Sequence, residues 1–293
     1  MTDAFELLMS IGEAASIYAL VALSYMLVLR PTGIINFAVG EWALLGAFLS
    51  VSTVVTLKLP YPLAVLLVLA GVGAIAWLTE RLTIRPMVER AAPLMTLILL
   101  MLAVDIVYRE AAVWGYGTAN HFAPMPFGSG RVEFGPFGGS TQSLVVIAAT
   151  VLVFAATWYF FERTVQGKAF EAVAIDRTVA SLMGINLARV TALSFFAAGA
   201  VAGLAGMLQA PLTTASYLMG LPLTIKGFSA MVIGGAGRVE GAVLGGLVLA
   251  ASERLVLRYA PVPSAFAIAI PLLLLIIFLL VRPTGILKAK GAA

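Results

Sequence analysis

Long apolar runs, separated by short stretches of charge, proline and glycine, organise this sequence from end to end. The runs fall at 15–29, 34–57, 61–79, 92–108, 142–160, 190–210, 241–257 and 263–281. Crossing a hydrocarbon core takes about 20 apolar residues of helix, so each run reads as a transmembrane helix. A further stretch, 223–236, is shorter and rich in glycine, and reads either as a short span or as a re-entrant segment. The pattern predicts an all-α, polytopic transmembrane bundle of eight or nine spans, one of them short and glycine-broken.

Composition agrees with the pattern. Hydrophobic residues make up 61% of the 293 residues and charged residues 11%, against about 25% charged in soluble chains. The mean hydropathy is +1.05. The net charge of +4 comes from 18 basic and 14 acidic residues spread over the loops. No Lys/Arg run is long enough to track a phosphate backbone, which excludes nucleic acid as a partner. The absence of cysteine removes disulfides, iron–sulfur clusters, thiolate zinc sites and a cysteine nucleophile. His121 is the one histidine, so no histidine-rich metal site and no cofactor are expected. No compositional shift marks a soluble module, so residues 1–293 read as a single membrane domain. Residues 1–13 hold Asp3, Glu6 and Glu13 without a basic residue, so the first apolar run is expected to stay as a span rather than be cleaved.

Short basic loops are retained on the cytoplasmic side. Arg81, Arg85 and Arg90 mark one such loop, and Arg163, Lys168, Arg177 and Arg189 another. These two loops hold seven of the 18 basic residues, and they place the N-terminus and the loop 109–141 outside. A cytoplasmic tail with Arg282, Lys288 and Lys290 then requires 223–236 to cross fully, as a broken ninth span. Loop 109–141 carries Trp114, Tyr116, Phe122, Phe127, Phe134 and Phe137, an interfacial anchor or a partner surface.

Arg30-Pro31-Thr32-Gly33-Ile34 recurs as Arg282-Pro283-Thr284-Gly285-Ile286. Proline opposes further helix and glycine supplies a permissive φ, so the pentapeptide reads as a helix terminator with an arginine at the headgroups, and as an echo of possible duplication. Gly199, Gly203 and Gly206, then Gly237, Gly241 and Gly245, repeat at helical spacing and predict close helix packing. The run Gly234-Gly235-Ala236-Gly237 lacks the Lys-Ser/Thr of a phosphate loop and lies in an apolar region, so this chain is not expected to bind ATP itself.

Polar groups at membrane depth are costly, and mark either a path or a structural pair. Asn36 and Glu41 stand early in the second run, with Gly33, Asn36, Phe37 and Gly40 at helical spacing on one face. They either line a route or hydrogen-bond a neighbouring helix. Asp105 and Arg109 are spaced for an i, i+4 ion pair. Lys226, between Pro222 and Gly227, is placed either to meet a substrate carboxylate or to snorkel to the interface. Glu253 is a further carboxylate within a span. In the cytoplasmic segment 162–189, Phe170, Val173, Ala174 and Arg177 share a helix face and Gly184 is a natural stop before Asn186. Such a helix either docks in a groove of a soluble partner or lies flat on the membrane.

At three stretches the sequence resembles the permease subunits of branched-chain amino-acid ABC importers, the Liv-type permeases, and the resemblance covers nearly the whole chain. The stretches are Gly33-Ile34-Ile35-Asn36-Phe37 with Gly40-Glu41; Gly167-Lys168-Ala169-Phe170 through Asp176 and Ala180 to Gly184-Ile185-Asn186; and Gly227-Phe228 through Ile233-Gly234-Gly235-Ala236-Gly237 to Gly241-Ala242. The resemblance implies a second, related permease, cytoplasmic ATPase subunits and an extracytoplasmic substrate-binding protein as partners. It also implies that the segment 168–186 is a coupling helix, with Phe170, Glu171, Ala172, Asp176 and Gly184 as contact residues. The segment departs from the general importer pattern in having Arg177 where an early glycine falls, and no Leu-Pro.

The expected function is therefore a permease subunit carrying a branched-chain or related small amino acid inward, not an enzyme. Asn36, Glu41, Lys226, Gly234 and Gly235 are the expected path residues, with the 33–41 and 223–237 segments approaching one another. A stand-alone secondary transporter or channel, for a solute such as urea or an amide, is the alternative, and it would need coupling carboxylates among Glu41, Asp105 and Glu253. An intramembrane enzyme lacks paired carboxylates or a metal cluster to work with.

Overall fold

The computed structural model describes residues 2–126, 128, 130–134, 137–259, 269–282 and 284–287. The first helix, α1 (Thr2–Thr32), overruns its apolar run at the N-terminal end, where Glu6, Leu7, Leu8, Met9 and Glu13 favour helix despite Ser10 and Gly12. It also passes through Pro31, contrary to the expected stop there. The terminator is Gly33, at φ +70°, whose N–H returns to the Leu29 carbonyl at 2.7 Å. The second run starts late, because 33–38 is not helical and α2 (Val39–Val51) begins only after it, ending in a π-turn over Ser52–Thr56.

Next come α3 (Tyr61–Thr79), a π-turn (Glu80–Ile84), the short α4 (Arg85–Glu89) and α5 (Leu94–Tyr116). A two-stranded antiparallel pairing of β1 (Arg131–Phe134) with β2 (Phe137–Ser140), in register Arg131 to Ser140, is an addition to the expected all-α chain. The remaining elements are α6 (Thr141–Arg163), α7 (Val165–Ile175), α8 (Arg177–Leu182), α9 (Leu187–Gln209), α10 (Gly220–Gly234), α11 (Val239–Tyr259) and α12 (Ala269–Val281).

Among the described residues, five helical stretches are long and apolar enough to cross a membrane: Phe5–Thr32, Val39–Thr56, Tyr61–Glu89, Thr141–Arg163 and Leu187–Gln209. The pair α10 and α11, bent by 116° at its break, raises the number to six at most. The expected eight or nine is thus not reached on these criteria. The reasons differ by element: α5 is long enough but carries Asp105, Arg109 and Glu110, α10 is 15 residues, and the described part of the last run is only 13. Residues 263–268 of that run, with Phe127, Pro283, Lys288 and Lys290, lie outside the described residues.

The bundle is built around α1, α2 and α9, whose most apolar windows are 61%, 67% and 67% buried, whereas that of α6 is 17% buried and lies at the periphery. Glycine makes the centre possible. A Cβ on Gly46 would overlap the Gly203 backbone, and one on Gly206 would overlap the Ala43 carbonyl, so α2 and α9 cross with their main chains in contact. Gly199 meets Val72 and Ala76 of α3 in the same way, and Gly245 of α11 meets the Ala230 carbonyl of α10. At the end that holds the loop after α5, Tyr116 stacks on Phe48 at 4.6 Å between centroids, and His121 exchanges two backbone hydrogen bonds of 2.9 Å with Ala215. Trp114, in the last turn of α5, and Phe122 of this loop are exposed.

Candidate functional site

Non-helical backbone at membrane depth survives only where protein satisfies its polar groups or a cavity is lined by them. The break 33–38 is buried at Ile34, Asn36 and Ala38. Between the backbone bonds at its two ends, from Gly33 N–H to the Leu29 carbonyl and from Trp42 N–H to the Ala38 carbonyl, side chains supply further hydrogen bonds. The Ile34 N–H donates to the Thr32 hydroxyl at 3.1 Å, the Ala38 N–H to Asn36 Oδ1 at 3.0 Å, and the Thr224 hydroxyl of α10 to the Phe37 carbonyl at 3.4 Å. From the start of α8, Arg177 Nη1 donates to the Thr32 carbonyl at 3.2 Å.

The expected approach of the two broken segments is present, through the first half of α10. Gly40 lies against the Thr224 hydroxyl and the Gly220 carbonyl, and the Phe37 and Phe228 rings lie 6.3 Å apart. Tyr25 of α1 joins them, its ring 5.9 Å from Phe228 and its hydroxyl 3.4 Å from the Thr224 carbonyl. Glu41, in the first turn of α2, is fully buried, and its carboxylate presses on Gly220, where a Cβ would collide with it. Neither Glu41 oxygen has a hydrogen-bond partner among the described residues, and neither has Asn36 Nδ2. Asp105 and Arg109 of α5 lie within electrostatic reach of Glu41. The expected ion pair between Asp105 and Arg109 is not formed among the described residues: Asp105 is turned into the bundle, 8% exposed, while Arg109 is only half-buried.

Lys226 is placed differently from either expectation. Its ammonium lies 2.7 Å from Glu253 of α11 and 2.8 Å from the Tyr18 hydroxyl of α1, and that hydroxyl donates to the other Glu253 oxygen at 2.7 Å. The triad fastens three helices, and leaves no ammonium free to meet a substrate in this conformation. Gly234 and Gly235 also stand apart from the break. Gly234 packs on the Gly241 backbone, and Gly235, at φ +100°, packs on Leu287 and Thr284. The last carbonyls of α10 are capped by the second copy of the pentapeptide and its neighbour: the N–H groups of Ile286 and Leu287 reach the Ile233 and Gly234 carbonyls at 2.8 and 3.0 Å. Gly285 turns the chain there at φ +73°, the geometry that Gly33 has after α1.

The segment 162–189 is two helices, α7 and α8, rather than one. Asp176 breaks it, its carboxylate accepting the Thr178 and Val179 N–H groups at 2.8 and 3.0 Å as the N-cap of α8. Gly184, at φ +82°, ends α8 as expected, with Ile185 N–H returning to the Ala180 carbonyl at 3.1 Å and Asn186 capping α9. Phe170 and Val173 are buried, Phe170 edge-on to Phe161 of α6 at 5.0 Å. Ala172 and Glu171 are half-buried. Val165, Ile175, Leu182 and Met183 form the apolar part of the open surface, each more than three-quarters exposed. Lys168 pairs with Glu171 and Glu162 at 3.2 and 3.4 Å, and its hydrogen bond to Glu171, seconded by Glu162, pushes its ammonium up from the ordinary lysine value. Arg30, Phe161, Lys168, Glu171, Arg238 and Glu240 line a cleft of about 350 Å³ beside it.

Several helices long and apolar enough to cross a membrane, packed around a buried backbone break to whose start the α7–α8 segment is hydrogen-bonded, define a helical multi-pass membrane protein. Residues 7–279 match the family model described as branched-chain amino acid transport system / permease component, and the chain belongs to that family of ABC transporter permeases. It is 34% identical to the high-affinity branched-chain amino acid transport system permease protein LivH of Escherichia coli K12, over 93% of this chain and 91% of that one. To the corresponding permease BraD of Pseudomonas aeruginosa it is 31% identical, over 93% and 92% of the two chains. The ribose import permease protein RbsC of E. coli K12 is 28% identical over 83% of this chain and 75% of its own. No solved structure matches the chain.

Proposed function

We propose that this chain, as one membrane domain over residues 1–293, is the permease subunit of an ATP-driven importer of branched-chain or related small amino acids. It forms the path with a second, related permease, takes substrate from an extracytoplasmic binding protein, and is driven by cytoplasmic ATPase subunits. It sits in a bacterial inner membrane with its N-terminus outside and its C-terminus in the cytoplasm, α10 and α11 making the broken part of an eight- or nine-span topology. The path runs along the break at Asn36 and past Glu41 and α10. Gly234 and Gly235 let α10 end tightly against α11 and the tail, and Lys226 holds α10 in place.

The observation that carries this reading is the join between Arg177 and Thr32, which ties the cytoplasmic segment to the break at 3.2 Å. A push on the exposed apolar face of α7 and α8 reaches the break through one hydrogen bond and through Phe170 against Phe161. The ATPases are proposed to dock on that face, with Val165, Ile175, Leu182 and Met183 joining Glu171, Ala172, Asp176 and Gly184. Phe170, being buried, acts as the lever's anchor.

The test is reconstitution of the complete system in vesicles with radiolabelled leucine. Uptake that requires ATP, the ATPases and the binding protein supports the reading. Leucine or urea flux through this chain without ATPases would instead indicate a secondary transporter or channel.

A further inference from the structure

The Glu41 carboxylate is buried in a way that leaves a specific demand unmet. It is 0% exposed, and both its oxygens lack a partner. A carboxylate in a low-dielectric interior is destabilised by several kcal/mol unless a cation or donors compensate. Among the described residues neither is in contact: no donor reaches either oxygen, and of the charged groups in electrostatic reach Asp105 has the same sign and Arg109 forms no hydrogen bond with it. The Asn36 amide Nδ2, also buried and without a partner, belongs to the side chain folded over the start of the same helix. A buried carboxylate and an idle amide therefore stand at a break in the backbone, next to the first turn of α10, whose Gly220 leaves room for nothing beyond the carboxylate itself.

From these observations we infer that Glu41 is the transient receptor for the ammonium group of the amino acid as it passes the break. The inference rests on the permease reading above and adds to it the chemical group recognised and the residues that recognise it. The chemistry follows from charge. A zwitterionic amino acid entering an apolar path must have its ammonium compensated, and Glu41 is a buried carboxylate there with no hydrogen-bond partner among the described residues. Lys226 and Glu253, by contrast, neutralise one another at 2.7 Å and attract no ion. Opening the break by separating Phe37 from Phe228 would expose the carboxylate between α2 and α10.

Glu41→Gln keeps the shape and removes the charge, whereas Glu41→Asp keeps the charge. In vesicles holding the complete system, Glu41→Gln is expected to lower leucine uptake at least tenfold while the thermal midpoint of the assembled complex is unchanged or raised, since a buried charge has been removed. Glu41→Asp should retain a clearly larger share of uptake than Glu41→Gln. Glu41→Gln uptake equal to that of the unmodified system overturns the inference and leaves the permease reading standing. So does a loss of uptake accompanied by a fall in the thermal midpoint and equal in the Gln and Asp variants, because that marks a packing role. Absence of ATP-driven leucine uptake in the unmodified system overturns the permease reading, and the inference with it.

Discussion

Arg177 donates to the Thr32 carbonyl across 3.2 Å, joining residues 145 positions apart at the point where α1 ends and the break begins. Thr32 is doubly engaged, since its hydroxyl also accepts the Ile34 N–H. Arg177→Ala is expected to loosen the coupling rather than the fold. A charge-assisted hydrogen bond at a partly exposed site is worth about 1 kcal/mol, so uptake per ATP hydrolysed should fall roughly fivefold. Parallel measurement of leucine uptake and phosphate release checks it; equal falls in both would show that the contact does not transmit motion.

The triad of Tyr18, Lys226 and Glu253 is expected to matter for stability. Lys226→Met strands a carboxylate that is 6% exposed, and breaking a buried pair this way destabilises by about 3–5 kcal/mol. Removing both charges in Lys226→Met/Glu253→Gln should restore part of that loss. Denaturant unfolding in mixed micelles gives the coupling energy directly, and additive losses would disprove the pairing.

Main-chain contact between α2 and α9 makes Gly206 intolerant of a methyl group. Gly206→Ala forces the helices apart and is expected to destabilise by about 1–3 kcal/mol, the usual range for overpacking. Gly115, in the last turn of α5, has open space where its Cβ would go, so Gly115→Ala should be neutral or slightly stabilising. Thermal unfolding of the two variants side by side separates packing from helix propensity.

Because the chain contains no cysteine, engineered pairs report proximity cleanly. Phe37→Cys with Phe228→Cys, whose rings lie 6.3 Å apart, should form a cross-link in at least one state. Asn36→Cys with Gly234→Cys should not form a disulfide, because the Cβ direction of Gly234 is filled by the Gly241 backbone. A mass shift on gels after oxidation decides both.

Particular residues show where the sequence was legible. Gly33, Gly184 and Gly285 were readable as helix ends and all three have positive φ, because helix termination depends on a few consecutive residues. The glycine repeats were readable as packing faces because helical spacing puts them on one side. Asp105 and Lys226 were misread for one shared reason. Spacing along one helix pairs Asp105 with Arg109, whereas the fold turns Asp105 into the bundle; Lys226 finds Glu253 and Tyr18 on two other helices. The break at 33–38 had a cue in Thr32, Asn36 and Thr224, which are the side-chain donors and acceptors an unwound segment needs.

The sequence by itself determined that the chain is helical, apolar enough to live in a membrane, interrupted where glycine and proline stand, and kin to permeases, since hydropathy, periodicity and motifs are local properties. Only the tertiary structure decided that Lys226 is neutralised by Glu253 while Glu41 is left without a partner. Both outcomes depend on which faces of α1, α2, α10 and α11 meet, and that is fixed by close packing between residues as much as 235 positions apart, which no local pattern encodes.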